Sequence, residues 1–269
     1  MTHMDETLVI VRGAGDIATG TIVHLARCGR RVLALESQRP TAIRRTVALS
    51  DAVYHDTARV EEITARRVAD EAQMRACWDA GEIPVAVDPQ GQWIERLKPG
   101  VVIDAILAKR NLGTNRTMAP VTVALGPGFC AGSDVDAVIE TMRGHRLGRV
   151  IYQGEALPNT GVPGEIMGIG RQRVTHAPVS GALRCVRGIG DVVSAGEVLA
   201  YIGETPVPAA ISGVLRGILP DGFDVPVGMK LLDIDPRIRE QENCLTISDK
   251  ARCIAGGVLE AVMVLERRK

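Results

Sequence analysis

Short apolar runs recur along the first half of the chain, each broken by glycine or charge. Leu8-Val9-Ile10-Val11 enters Gly13-Ala14-Gly15-Asp16-Ile17-Ala18, a segment of helical spacing follows, and Val32-Leu33-Ala34-Leu35 ends in Glu36. That order predicts a strand, a glycine turn, a helix and a second strand over 7–36. Further runs at 83–87, 101–107, 121–125 and 149–152 have the length of parallel strands buried on both faces. Residues 61–79 mix apolar positions with many charges and predict a helix with a solvated side, and 134–142 predicts another.

From 178 to 235 the pattern repeats itself. Ser180-Gly181-Ala182-Leu183-Arg184 returns as Ser212-Gly213-Val214-Leu215-Arg216, Gly190 and Gly196 return as Gly222 and Gly228, and Ile202 as Ile234. Dense glycine and valine predict short strands with tight turns, and two such copies interlock into one small β sandwich because neither buries its apolar face alone. The pattern resembles the biotinyl/lipoyl-type barrel-sandwich hybrid. In that family a lysine at the hairpin between the halves carries the cofactor, whereas the joint here is Gly203-Glu204-Thr205-Pro206. The resemblance implies the fold and neither biotin nor lipoate. Beyond it, Ser248 and Asp249 cap a helix with a stripe of Ala251, Ile254, Ala255, Val258, Leu259 and Val262, which is expected to return to the first domain. The expected fold class is therefore α/β: a Rossmann-like parallel sheet domain over 1–170, a barrel-sandwich hybrid over 171–236 and a C-terminal helical segment over 237–269.

Composition narrows the partners. The 269 residues hold 32 basic and 32 acidic side chains and are 3% aromatic, which disfavours nucleic acid and anionic membrane as partners. The six cysteines form no C-x-x-C pair and the histidines no H-E-x-x-H, so no metal site is expected. Without an apolar leader or a membrane-length run, a cytoplasmic protein with reduced thiols is expected.

The chemistry concentrates at the ends of the apolar runs, where open parallel sheets bind ligands. In the dinucleotide fingerprint the first glycine makes the tight turn, the second admits a pyrophosphate and a small third residue lets helix and strand pack; Gly13, Gly15 and Ala18 hold those places. Glu36 is then the ribose acceptor, and Arg39 the only hint of a 2′-phosphate. Asp16 either caps an ordinary strand-to-helix turn or competes with a phosphate for the same amides, with Arg12 as the offsetting cation. Lys109, Arg110 and Asn111 follow one run and can hold a second anionic group, Gly126 and Gly128 follow the next and lead to the helix expected at 134–142, and Asn159-Thr160-Gly161 closes a third. Cys130, in a glycine-flanked loop, is either a nucleophile or a small filler.

Taken in order, these motifs, together with Asp233-Ile234-Asp235-Pro236-Arg237 and Ile247-Ser248-Asp249-Lys250-Ala251, resemble nearly end to end the YqeB-type proteins of the selenium-dependent molybdenum hydroxylase system. The resemblance implies a cytoplasmic accessory factor in the maturation of molybdenum hydroxylases, and supplies no reaction. Joined to the glycine turn, it gives the expectation of a crevice for NAD(P) or molybdopterin dinucleotide, in a homo-oligomer that meets a molybdenum hydroxylase. An NAD-dependent oxidoreductase and a non-catalytic docking module are the alternatives.

Overall fold

The computed structural model describes residues 7–162 and 164–268. They form two compact units interleaved in sequence: 7–40, 48–159 and 247–268 make the first, 41–47 and 160–246 the second. The division therefore differs from three consecutive segments at 1–170, 171–236 and 237–269.

The first unit begins β1 (Val9–Arg12), α1 (Asp16–Arg27), β2 (Val32–Glu36), α2 (Ala52–His55), β3 (Thr57–Val60) and β4 (Ile63–Val68). It continues α3 (Glu71–Asp79), β5 (Ile83–Val87), α4 (Gln92–Leu97), β6 (Val101–Asp104), β7 (Val121–Leu125), β8 (Cys130–Ala131), β9 (Ala137–Ile139), β10 (Val150–Ile151) and β11 (Gly154–Glu155). Nine strands make one sheet in the order β10-β9-β7-β6-β1-β2-β5-β4-β3, parallel from β4 to β9 with an antiparallel strand at each edge. The central strands are buried on both faces, which is why they read as unbroken apolar runs. One face packs Ile10, Leu33 and Val102 against Met74 and Cys77 of α3 and Trp93 and Ile94 of α4.

The helix expected over 61–79 is a strand followed by a helix. Glu61 turns with φ +54°, β4 pairs antiparallel with β3, and α3 starts at Glu71 with the Asp70 carboxylate accepting from the Gln73 N–H. Nor is 134–142 helical: Asp134 accepts from the Cys130 N–H and Asp136 from the Thr122 N–H, and Ala137–Ile139 pairs in parallel with β7. Short polar side chains that bond neighbouring backbone compete with helix in this way.

The tail helix α5 (Asp249–Glu266) is capped by Ser248, whose Oγ accepts from the Ala251 N–H at 3.2 Å. It lies parallel to α1, for Gly20 meets Ala251 near both helix starts, while Arg30, past the end of α1, pairs with Glu266 at 2.6 Å.

The second unit holds β12 (Val174–His176), β13 (Gly181–Cys185), β14 (Val192–Val193), β15 (Val198–Ile202), β16 (Thr205–Pro208), β17 (Gly213–Ile218), β18 (Asp224–Val225) and β19 (Lys230–Asp235). Its two four-stranded sheets run β12-β19-β17-β14 and β16-β15-β13-β18. The sequence repeat is thus a strand exchange: β14 of the first copy pairs with β17 of the second, and β18 of the second with β13 of the first. The matched glycines share their backbone state, φ +99° and +74° at Gly190 and Gly222, +84° and +79° at Gly196 and Gly228. No helix among the described residues is long and apolar enough to cross a membrane.

Candidate functional site

The strand order reverses at β1. The chain leaves β1 for β2 on one side and returns through β5 to β6 on the other, so the loops after β1 and β6 flank the reversal where open α/β sheets take ligands. Gly13 has φ +100°, and a Cβ there would stand 2.8 Å from the Ala105 carbonyl oxygen. Glycine is required at this point by the close approach of two loops, and the Gly13 N–H already donates to the Leu35 carbonyl. Gly15 is extended and precedes α1 without a side-chain cap, and Ala18 is fully buried.

Two carboxylates sit in this turn. Glu36 accepts from the Ala14 N–H at 2.9 Å and the Ser37 N–H at 2.7 Å, so it is held at the turn by backbone, with a second lone pair left on each oxygen. Asp16 accepts from the Ile17 N–H at 2.9 Å. The expected offsetting cation is elsewhere: Arg12 is 3% exposed, donates to Thr114 Oγ1 at 2.5 Å and to the Pro89 carbonyl at 3.2 Å, and stands 3.9 Å from Asp104, its register partner on β6. Thr114 donates in turn to Asp104, which also accepts from the Ile106 N–H. Burial pushes the Asp104 carboxyl above its ordinary range, against the Thr114 and Ile106 hydrogen bonds and the charge of Arg12. This chain of bonds anchors the loop after β6.

That loop carries Lys109, Arg110 and Asn111, all exposed. Leu107 and Lys109 are left-handed at φ +60° and +62°, a conformation that non-glycine residues adopt at a cost and that clusters at binding sites. Asn111 is a turn residue: its amide donates to the Thr114 carbonyl and its oxygen accepts from the Gly113 N–H. A Cβ on Gly128 would stand 2.6 Å from the Arg110 amide nitrogen, so the loop after β7 lies against the backbone of Lys109 and Arg110. Gly126 fits beneath Thr141 in the same manner. Because β9 replaces the expected helix, Gly126 and Gly128 lead to no helix N-terminus, and that anion site is absent. Asn159, Thr160 and Gly161 are exposed residues at the junction of the two units.

Sequence reasoning passed over Lys250. It lies in the first turn of α5, beside the start of α1, in the field of Asp16, Glu140 and Asp249. Burial lowers its pKa from the ordinary lysine range, Arg143 adds to that, and the three carboxylates oppose it. Glu140, 2% exposed at the end of β9, is fixed by the Met142 and Leu157 N–H groups at 2.7 and 2.8 Å. Arg143 pairs with Asp249 at 2.9 Å. The only signal in the sequence is a lysine in the first turn of a helix, where the dipole disfavours a cation.

No family model matches the chain. It is 52% identical over 258 residues to the uncharacterized protein YqeB of Escherichia coli (strain K12), a match that takes in 96% of this chain and 48% of that protein. The chain therefore spans about half the length of this curated relative. Among solved structures, the product-bound ectoine utilization protein EutE (DoeB) of Ruegeria pomeroyi is 11% identical with a TM-score of 0.26, covering 85% of each chain. A succinylglutamate desuccinylase from Silicibacter sp. TM1040 is 14% identical at the same TM-score of 0.26, over 85% of this chain and 84% of that one. At that TM-score neither speaks to the fold.

Proposed function

We propose that this YqeB-like chain is an accessory factor in the maturation of molybdenum hydroxylases, selenium-dependent ones included, that holds an anionic nucleotide-type cofactor at the carboxyl edge of its parallel sheet. The ligand is a nicotinamide dinucleotide or the dinucleotide form of molybdopterin. In this reading the first unit is Rossmann-like, and the second is a barrel-sandwich hybrid without a carrier lysine that docks the partner hydroxylase.

The observation that carries it is the convergence, at the strand-order reversal, of the Gly13 to Asp16 turn, the Glu36 carboxylate, the strained cationic loop after β6 and Lys250. Each part has a task. A phosphate seats at the start of α1 by turning the Asp16 carboxylate off the Ile17 N–H, and Lys250 supplies the balancing charge. Glu36, already held by two amides, receives a ribose hydroxyl on its remaining lone pairs. Lys109 and Arg110 face solvent and take a second anionic group.

Mass spectrometry of small molecules released from freshly purified protein is expected to find a dinucleotide, and calorimetric titration with NAD, NADP and molybdopterin dinucleotide is expected to give heat with one of them. Silence with every ligand removes the reading. One observation favours an NAD-dependent oxidoreductase as the second reading: Lys250 is a half-buried amine in the first turn of α5, beside the start of α1, and burial lowers its pKa from the ordinary lysine range. Turnover of nicotinamide absorbance with a small substrate, lost in Lys250→Met, would select it.

A further inference from the structure

The second unit contains a buried charged group that the crevice does not use. Asp233 and Asp235 lie on β19 with Ile234 between them, so both carboxylates project from the same face of the strand. Arg173 pairs with Asp233. Arg237 bonds both oxygens of Asp235, at 2.9 and 2.7 Å, and donates its backbone N–H as well. Arg216 reaches the same carboxylate only at 3.3 Å.

Comparison of the two repeats isolates Arg216. Its counterpart Arg184 sits in regular pairing between β13 and β15, is exposed, and lies over the Tyr201 ring at 4.5 Å. In the second copy the register shifts between Leu215 and Gly217, and Arg216 is the extra residue. A bulge re-aims a side chain. Arg216 is 8% exposed, and its Nε has no hydrogen-bond partner among the described residues. Burial, then the charges of Arg44 and Arg173, hold its guanidinium below the ordinary arginine range, against Asp235 and Asp233. A buried donor without an acceptor is costly to the fold, and a guanidinium presents a fork matched to an oxyanion. The buried thiol of Cys244 lies in the field of the same groups and lines an open pocket of about 380 Å³ with Ile189, Gly190, Asp191, Gln241, Glu242 and Leu245.

We propose that Arg216, with Arg173 and Arg44 beside it, forms an internal oxyanion site that takes a small dianion of the phosphate class, either inorganic phosphate or a terminal phosphate monoester. The two aspartates hold the arginines in place, and the bulge turns one of them toward the ligand. The site lies wholly within the second unit and is independent of the crevice.

The full chain is melted in sodium phosphate and in sodium chloride at matched pH and ionic strength, then titrated calorimetrically with inorganic phosphate and with glycerol phosphate. Phosphate is expected to raise the melting temperature by several degrees and to bind at one site, and the two titrants separate the free ion from the monoester. Arg216→Gln is expected to lose at least about tenfold in affinity, while Arg187→Gln, whose parent side chain pairs with Glu197 on the surface, keeps it. Should Arg216→Gln fail to fold by circular dichroism, Arg216→Lys, which keeps the charge and loses the fork, is expected to fold and bind more weakly. Equal melting in the two salts, or undiminished binding by a folded Arg216 variant, overturns the proposal.

Discussion

Gly20 and Ala251 touch with no space to spare: a Cβ on Gly20 would fall 2.8 Å from the Ala251 Cβ and 2.9 Å from its carbonyl oxygen. This contact lets α5 lie close along α1 and brings Lys250 beside Asp16. Gly20→Val forces the helices apart, and a destabilisation of about 1–3 kcal/mol is expected by urea unfolding. Ligand affinity at the crevice should fall with it, since the balancing cation moves away.

Lys250→Met keeps the length of the side chain and removes a charge that the fold holds at a lowered pKa. The variant should be more stable than the parent by about 0.5–2 kcal/mol in urea and bind a dinucleotide at least about tenfold more weakly. Stability and binding moving in opposite directions is the signature of a residue kept for a ligand. A drop in both would mark Lys250 as structural.

Two glycines with the same φ separate backbone strain from contact. Gly13 and Gly113 are both at +100°, yet a Cβ on Gly113 meets nothing within 4 Å while one on Gly13 meets the Ala105 backbone. Gly113→Ala is expected to cost about 1 kcal/mol, and Gly13→Ala about 3 kcal/mol or more. Denaturant midpoints of the pair measure the difference directly.

The buried thiol of Cys77 on α3 is pushed up from 9.0 to about 11, first by burial and then by Glu82, with Arg66 opposing. Its folded pKa lies above the unfolded one, so its contribution is complete below pH 9 and is lost as pH rises through about 11. The parent should therefore lose up to about 2 kcal/mol more than Cys77→Ala between those two values. A gap between the two proteins that is constant with pH in urea titrations would refute this.

Much of the parallel sheet was legible because its strands are buried on both faces and leave continuous apolar runs. The repeat was legible too, since Gly190, Gly196 and their counterparts mark turns that need a positive φ. What misled was charge and short polar side chains. Arginines on β4, with Arg66 paired to Glu82 from the start of β5, hide its alternation. Asp134 and Asp136 look like the start of a helix and instead bind the amides of Cys130 and Thr122.

At the crevice the glycine turn and Glu36 stood out, although Gly13 meets Ala105 and Glu36 meets the backbone N–H groups of Ala14 and Ser37. Arg12 looked like the compensating cation because it adjoins the turn in sequence. In the fold it points inward to Thr114, and Lys250, more than two hundred residues away along the chain, faces Asp16. Only the packing of α5 on α1 creates that neighbour.

The exchange of β14 and β18 also governs how the second unit is made. Each copy lends a strand to the other, so a fragment ending at the Gly203 hairpin leaves β13 without β18 and β14 without β17. A gene cut there yields no working half, however alike the halves are on paper. During translation the segment around Ile43, whose carbonyl receives the Ile218 N–H, emerges early and waits for a partner made far later. The β12-β19-β17-β14 sheet of this unit is not complete until the ribosome has passed Asp235.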